Sequence, residues 1–280
     1  MHGLGNDFVV VDDRERGWDF DPDAVRWLCD RHFGVGADGL ILVRPADDGR
    51  SDFFMLYFNS DGTTAEMCGN GIRCFAKWLV DRGLVDGDTL TVATLGGSKS
   101  IEIERHQDGT MALARVDMGE PVLDLAAVPA KLDGLTAVDY PIETEAGSVN
   151  VTVVSMGNPH AVIWVDDVET APVETIGPLV ENHPAFPHKT NVEFAETLPD
   201  EHSIRLRVWE RGVGETLACG TGACATLVAA VLSRRTTGRT ATIELPGGEL
   251  TVEWASDDRV YMTGPAEQVF EGVIDLPDEE

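Results

Sequence analysis

Along most of the chain apolar and polar positions alternate with the period of two that marks a half-buried strand, as where Thr251 and Glu253 face one way and Val252 and Trp254 the other. On this pattern strands are predicted over Phe8–Asp12, Leu40–Arg44, Phe53–Phe58, Leu90–Thr94, Ser100–Glu104 and Met111–Asp117. A second series covers Asn150–Ser155, Ala161–Val165, Val192–Phe194, Ile204–Trp209, Thr242–Leu245, Leu250–Trp254 and Val260–Met262. The period changes in a few places. Ile72, Phe75, Ala76 and Leu79 recur at helical spacing, predicting a helix over Gly69–Asp81 with Gly83 as its stop. A second helix, Gly220–Ser233, is nearly apolar all round from Ala223 to Leu232 and must be buried on most sides. A shorter one is expected over Pro22–Asp30, with Asp21 as cap and Pro22 in its first position.

The two series are copies of one unit. The segment YFNSDGTTAEMCGNGIRCFA at 57–76 resembles VWERGVGETLACGTGACAT at 208–226, and Cys219 follows Cys68 by 219 − 68 = 151 positions. Gly71 and Gly222, Gly96 and Gly247, and Asn59 and Glu210 keep the same offset; LGNDFVVVDD at 4–13 and MGNPHAVIWVDD at 156–167 keep it to within one residue. The expected class is therefore α+β: two pseudo-symmetric domains, each a mixed sheet or barrel wrapped around a central helix, with the active site in the cleft between them. Strands outnumber helices and follow one another through short Gly/Asp turns, which disfavours a doubly wound parallel sheet. Gly119–Val138, with Pro121 and Pro129, reads as the linker. A last strand over Val269–Leu276 can return to either half; assigned to the first, it gives domains 1–118 with 265–280, and 119–264. Asp278-Glu279-Glu280 reads as a solvated acidic tail.

Cys68-Gly69-Asn70-Gly71 and Cys219-Gly220-Thr221-Gly222 each stand where a loop becomes a helix. Small residues there leave the first-turn N–H groups open to an anion of carboxylate size. The helix dipole at the same place favours a thiolate, which predicts a lowered thiol pKa and a competent base. Two such starts, one on each side of an α-carbon, would let one thiolate remove the proton while the other thiol returns one. That is stereoinversion of an amino acid without a cofactor or a metal. Cys29, Cys74 and Cys224 read as small apolar core residues, and the spacings from Cys68 to Cys74 and from Cys219 to Cys224 do not match zinc-binding pairs. Five cysteines in a chain that opens with no secretory segment predict reduced thiols and a cytoplasmic location.

HGLGNDF at 2–8, FNSDGTTAEMCGNGIRC at 58–74, MGNPHAV at 156–162, TNVEF at 190–194 and WERGVGETLACGTGA at 209–223 together make the chain closely resemble the diaminopimelate epimerases. The resemblance covers nearly the whole chain. It implies interconversion of LL- and meso-diaminopimelate on the route to lysine, with no cofactor and usually as a homodimer. By motif match it implies Cys68 and Cys219 as the acid/base pair, and amides of Gly69, Asn70, Gly220 and Thr221 on the reacting carboxylate. Asn6, Asn59, Asn158, Asn191, Glu210 and Arg211 would bind the substrate, while His160 and Glu210 would tune the thiols. The chain departs from the family in two places: many relatives carry a short strand ahead of the first motif, and Gly39 stands where some have a substrate-contacting Gln. Two other readings use the same residues: a proline or hydroxyproline racemase, whose small cyclic substrate leaves Asn59, Glu210 and Arg211 without a task, and a thiol-based redox or metal-binding protein.

Charge narrows the partners further. With 21 basic and 49 acidic side chains the formal net charge is −28, which opposes binding to nucleic acid or to an anionic membrane, and no apolar run approaches the length of a membrane span. The hydrophobic share of 43% is enough for a core, so the acid sits on a folded surface. Lysine is confined to Lys77, Lys99, Lys131 and Lys189. This acidic, lysine-poor pattern predicts a protein adapted to concentrated salt, which screens the self-repulsion of its surface. The chain is expected to unfold in dilute buffer and refold in molar KCl, followed by circular dichroism; full stability at low salt would refute the adaptation.

Overall fold

The computed structural model describes residues 1–15 and 17–276, and the expected tail Asp278-Glu279-Glu280 lies outside them. By their contacts the described residues divide into two compact units: Met1–Val116 with the chain from Gly264 onward, and Asp117–Thr263.

The first unit contains strands β1 (His2–Gly3), β2 (Asn6–Asp12), β3 (Gly39–Pro45), β4 (Phe53–Asn59), β5 (Thr64–Ala65), β6 (Thr89–Thr94), β7 (Gly97–Arg105) and β8 (Met111–Gly119), with helices α1 (Pro22–Cys29) and α2 (Gly69–Asp81). β2 runs parallel to β3 and β4 parallel to β6, while the β3–β4, β6–β7 and β7–β8 pairs are antiparallel. α1 starts where Asp21 accepts the Ala24 N–H at 2.7 Å, and it buries Val25, Leu28 and Cys29 against Leu40, Leu42 and Phe58. α2 is the central helix, buried from Gly69 to Val80. Two cations are buried with it, and both are satisfied. Arg73 donates to the Gly69 and Pro265 carbonyls, and Lys77 donates to Met111 O at 2.9 Å and pairs with Asp81 at 3.0 Å.

The second unit repeats this ladder with β9 (Tyr140–Thr144), β10 (Gly147–Ser155), β11 (Pro159–Trp164), β12 (Asn191–Thr197), β13 (Ser203–Glu210), β14 (Gly214–Thr216), β15 (Thr240–Leu245), β16 (Gly248–Trp254) and β17 (Val260–Gly264), and with helices α3 (Val173–Glu181) and α4 (Gly220–Leu232). Here β11 is parallel to β12 and β13 to β15, again joined by antiparallel pairs. α4 packs against β10, β11 and β12 on one side and β15 and β16 on the other, so the sheet curls around it. Both central helices are 13 residues long and begin immediately after their cysteine. The architecture is the sheet-dominated α+β arrangement that the periodicity predicts.

Three expectations need correction or extension. Residues 269–276 form no strand. The returning chain pairs only at Glu267, with His2, and leaves Val269, Phe270 and Val273 exposed; an apolar row becomes a strand only where a sheet edge accepts its hydrogen bonds. After Gly119, which ends β8, the segment read as a linker has no regular structure beyond a bridge from Val122 to Ser155, yet Leu125, Val128, Ala130 and Ala137 are buried in the core of the second unit. α3 was not predicted, because Gly177 and Pro178 interrupt its pattern. A Cβ on Gly177 would lie 2.7 Å from the Trp209 ring, so glycine is what lets the helix lie on that indole.

α3 ends on a buried carboxylate that ties it to β13. Glu181 accepts from Trp209 Nε1 at 2.8 Å, Gly212 N at 3.0 Å and Lys189 Nζ at 3.2 Å. Burial pushes its pKa up, but the three donors together outweigh burial and hold it below the ordinary 4.5. The resulting stability is complete above the unfolded value and is lost as pH falls through the lower folded one. Glu181→Gln is therefore expected to lower stability by about 2 kcal/mol at neutral pH, in urea unfolding in molar KCl, with a difference from the parent that shrinks as the pH drops below 4.5. A pH-independent difference would contradict this.

Candidate active site

The two central helices start alike. Cys68 (φ −134°, ψ 118°) and Cys219 (φ −128°, ψ 109°) are the N-caps of α2 and α4. Each sulfur accepts the N–H of the glycine three residues on, Gly71 or Gly222, at 3.4 Å. The sulfur thus occupies the position a Ser or Asp oxygen usually holds, and the preceding helical amides, on Gly69 and Asn70 or Gly220 and Thr221, lie in the first turn, where no intrahelical acceptor exists. Glycines with positive φ, Gly5 at 84° and Gly157 at 98°, turn the chain immediately before the two equivalent asparagines, Asn6 and Asn158.

In the first unit Asn6 comes together with the cysteine helix start. Its Oδ1 accepts from Asn70 Nδ2 at 3.0 Å and from the Cys68 thiol at 3.9 Å, while its Nδ2 donates to Asp38 at 2.7 Å. Asn59 closes β4 and hydrogen bonds instead within its own turn, to Thr63 Oγ1 at 3.0 Å.

In the second unit a chain of contacts reaches Cys219 from the core. Glu193 Oε1 lies 2.7 Å from His160 Nδ1, both fully buried. His160 Nε2 lies 3.0 Å from Asn158 Oδ1; Asn158 Nδ2 donates to Thr221 Oγ1 at 3.3 Å; and Thr221 Oγ1 is 3.5 Å from Cys219 Sγ. Glu210, at the end of β13, accepts from Thr216 at 2.6 Å, and its charge acts on Cys219. Asn191 holds the following turn: its Nδ2 donates to Pro159 O at 3.0 Å and its Oδ1 accepts the Arg211 N–H at 2.9 Å. Arg211 is exposed, with Nη1 on His188 O at 3.2 Å.

Glu193 was missed by sequence reasoning. It follows Asn191 by two in β12, hence on the same face, and a carboxylate in the middle of an apolar strand was the available signal. Its Oε2 has no hydrogen-bond partner among the described residues. Its Oε1 would lie 2.9 Å from a Cβ on Gly222, which gives that glycine a steric reason. His160 therefore reaches Cys219 through Asn158 and Thr221.

The expected lowering of the thiol pKa is reversed at Cys219. Burial first, then the charges of Glu210 and Glu193, push it well above the ordinary 9.0, and the donors Thr221 and Gly222 offset only part of this. Burial likewise raises Glu210. The Cys219 sulfur is thus held toward its thiol form, with the Glu210 carboxyl group among the charges acting on it. Cys74 and Cys224 are fully buried inside the central helices, and Cys29, the last residue of α1, lies in the core. Among the described residues there is no disulfide, no group of three or more His, Cys, Asp or Glu side chains placed to hold a metal ion, and no helix long and apolar enough to cross a membrane.

The fold is shared with solved isomerases. A hydroxyproline epimerase from Agrobacterium vitis with bound trans-4-OH-L-proline superposes with a TM-score of 0.67 at 18% identity, over 94% of this chain and 87% of that one. A methylitaconate-delta-isomerase gives 0.63 at 17% identity, over 97% and 92%. Sequence narrows the class. The family model for diaminopimelate epimerase matches residues 1–123 and 152–269, and the chain belongs to that family. It is 50% identical over 277 residues to a diaminopimelate epimerase of Methanococcus maripaludis (99% of this chain, 98% of the relative) and 51% identical over 274 residues to one of Pelotomaculum thermopropionicum (97% and 96%). One from Synechocystis is 50% identical over 279 residues (98% and 97%).

Proposed function

We propose that this protein is a diaminopimelate epimerase, an isomerase that interconverts LL- and meso-2,6-diaminopimelate in lysine biosynthesis by a two-base exchange between Cys68 and Cys219. The observation that carries the mechanism is the cysteine-capped helix start built twice on one duplicated ladder. In this reading one sulfur, as thiolate, takes the α-proton while the other, as thiol, delivers its own to the opposite side, so that the two exchange protonation states in each turnover. First-turn amides of Gly69, Asn70, Gly220 and Thr221 hold the α-carboxylate and stabilise the charge that spreads onto it as the proton leaves. Cys219 is primed by Glu210, which accepts the thiol proton when the positive α-ammonium of the substrate enters and favours the thiolate. Asn6, Asn59, Asn158, Asn191, Glu210 and Arg211 bind the substrate, Arg211 suiting the distant carboxylate and the carboxamides both donating and accepting. His160 acts on Cys219 through Asn158 and Thr221. The chemistry calls for no cofactor.

The first unit is then the Cys68 domain and the second the Cys219 domain. The exposed row of Val269, Phe270 and Val273 supports a homodimer, because apolar side chains gathered on a highly charged surface favour burial against a partner. The cysteines suit a reducing, cytoplasmic compartment.

Cys68→Ser and Cys219→Ser are each expected to reduce epimerisation by about 10²–10⁴-fold or more with circular dichroism unchanged. In deuterated water the parent should exchange the α-proton of diaminopimelate and leave proline untouched; near-normal turnover in either variant, or exchange of proline alone, would reject the proposal. In molar KCl the parent should sediment as a dimer and Phe270→Glu as a monomer; a monomeric parent at micromolar concentration would remove the dimer.

A further inference from the structure

The amide of Asn6 can present either its oxygen or its nitrogen to Cys68, and two charged side chains of the first unit decide which. Asp38, as a carboxylate, can only accept, and its Oδ2 takes Asn6 Nδ2 at 2.7 Å and the Asp7 N–H at 3.1 Å. Arg73, as a guanidinium, can only donate, and its Nη2 donates to Asn70 Oδ1 at 3.1 Å. That turns Asn70 Nδ2 toward Asn6 Oδ1, at 3.0 Å. The hydrogen bonds therefore run in one direction, from Arg73 through Asn70 and Asn6 to Asp38. The Cys68 thiol meets this relay at Asn6 Oδ1, where it can only donate. Arg31 fixes the far end by bridging Asp38 at 2.9 Å and Asp7 at 2.7 Å.

The equivalent asparagine of the second unit is turned the other way. Asn158 offers Nδ2, not Oδ1, to the helix start, on Thr221, and Thr221 stands where the first unit has Asn70. The Thr221 hydroxyl, which accepts from Asn158, lies 3.5 Å from Cys219 Sγ and can donate to it. One sulfur thus faces a carbonyl oxygen and the other a hydroxyl.

We propose that Asp38 is a positioning residue for Cys68: by holding the Asn6 carbonyl toward the sulfur it favours Cys68 as a thiol, so that Cys68 starts as the proton donor in one direction of the reaction. The last clause rests on the proposed two-base reaction, whereas the effect on the sulfur does not. The charged groups around the relay are Arg73 from α2, Asp7 from β2, Arg31 and Asp38 from the segment between α1 and β3, and the Met1 ammonium, which donates to Phe8 O.

The test is the pH dependence of Cys68 alkylation by iodoacetamide, read by peptide mass spectrometry in the full chain carrying Cys219→Ser. Asp38→Asn frees the Asn6 amide to turn and donate to the sulfur; it is expected to lower the alkylation midpoint by about one pH unit, about tenfold more thiolate at a given pH below it. Asp38→Glu, which still only accepts, should keep the parent midpoint. Removing a negative charge would also lower the midpoint through space, so the decisive comparison is made with Asn6→Ala. There Asp38→Asn should leave only the smaller through-space shift; a shift as large as that seen with Asn6 present overturns the proposal, as does an unchanged midpoint when Asn6 is present. If Asp38→Asn does not fold, Asp38→Ser, whose hydroxyl can also donate to Asn6, carries the same expectations. A midpoint shift that needs Asn6, in a protein whose Cys219 parent does not exchange the α-proton of diaminopimelate, would sink the functional reading and leave the role of Asp38 at the sulfur standing.

Discussion

A buried helix start must find partners for N–H groups that its own backbone cannot satisfy, and here a cysteine sulfur supplies only part of what they need. At both Cys68 and Cys219 the sulfur takes the third amide and leaves the first-turn N–H groups before it to others. An oxygen cap would stabilise the helix more strongly, since sulfur is a weak acceptor. The substitution gives up some helix stability and places an ionisable group inside the field of the helix dipole. Much else in each unit follows from that choice: the glycine three residues on, the asparagine turned in by a positive-φ glycine, and the sheet that encloses the helix.

Enclosure has its own cost, because α2 carries charged side chains into the core and the second unit buries a histidine with a glutamate. Each solution is local. Arg73 caps carbonyls of its own helix start and of the returning chain, Lys77 reaches across to Met111, and Glu193 pairs with His160. Removing one partner of such a pair strands the other in a medium that solvates it poorly, at about 3–5 kcal/mol. Two of these contacts extend to the asparagines that face the sulfurs: Arg73 reaches Asn6 through Asn70, and His160 meets Asn158.

Much of the fold was legible because its strands follow the period of two and its central helices are long and bounded. The α2 prediction, Gly69–Asp81, matches the observed helix because Cys68 and Gly83 mark its ends. The duplicated spacing made the two cysteines visible as a pair of helix starts. What escaped was whatever depends on a distant partner. α3 owes its place to Trp209, and residues 269–276 are irregular because no strand edge receives them. Asp38 was invisible as part of the site and Glu193 was signalled only as a carboxylate in an apolar strand, because their bonds to Asn6 and His160 span 32 and 33 positions, and no local pattern encodes such contacts. The dipole argument for a lowered thiol pKa failed at Cys219 for a related reason: burial and the nearby carboxylates oppose the helix start and outweigh it.

The duplication also poses a chemical problem. Two copies of one unit would give two sulfurs with the same proton affinity, yet a two-base exchange needs one of each kind at the outset: a pair of thiols has no base, and a pair of thiolates has no acid. Which sulfur carries the proton is biased by residues at which the copies differ. The backbone at the helix starts is nearly identical, but Asn70 became Thr221, Asn59 became Glu210, and the asparagine beside each sulfur is turned in opposite senses. In the proposed two-base reading Glu210 would give Cys219 an acceptor for its proton, while Asp38 and Arg73 would leave Cys68 facing an acceptor that holds a proton in place. In that reading the divergence between the halves, rather than their likeness, sets which sulfur carries the proton when a turnover begins.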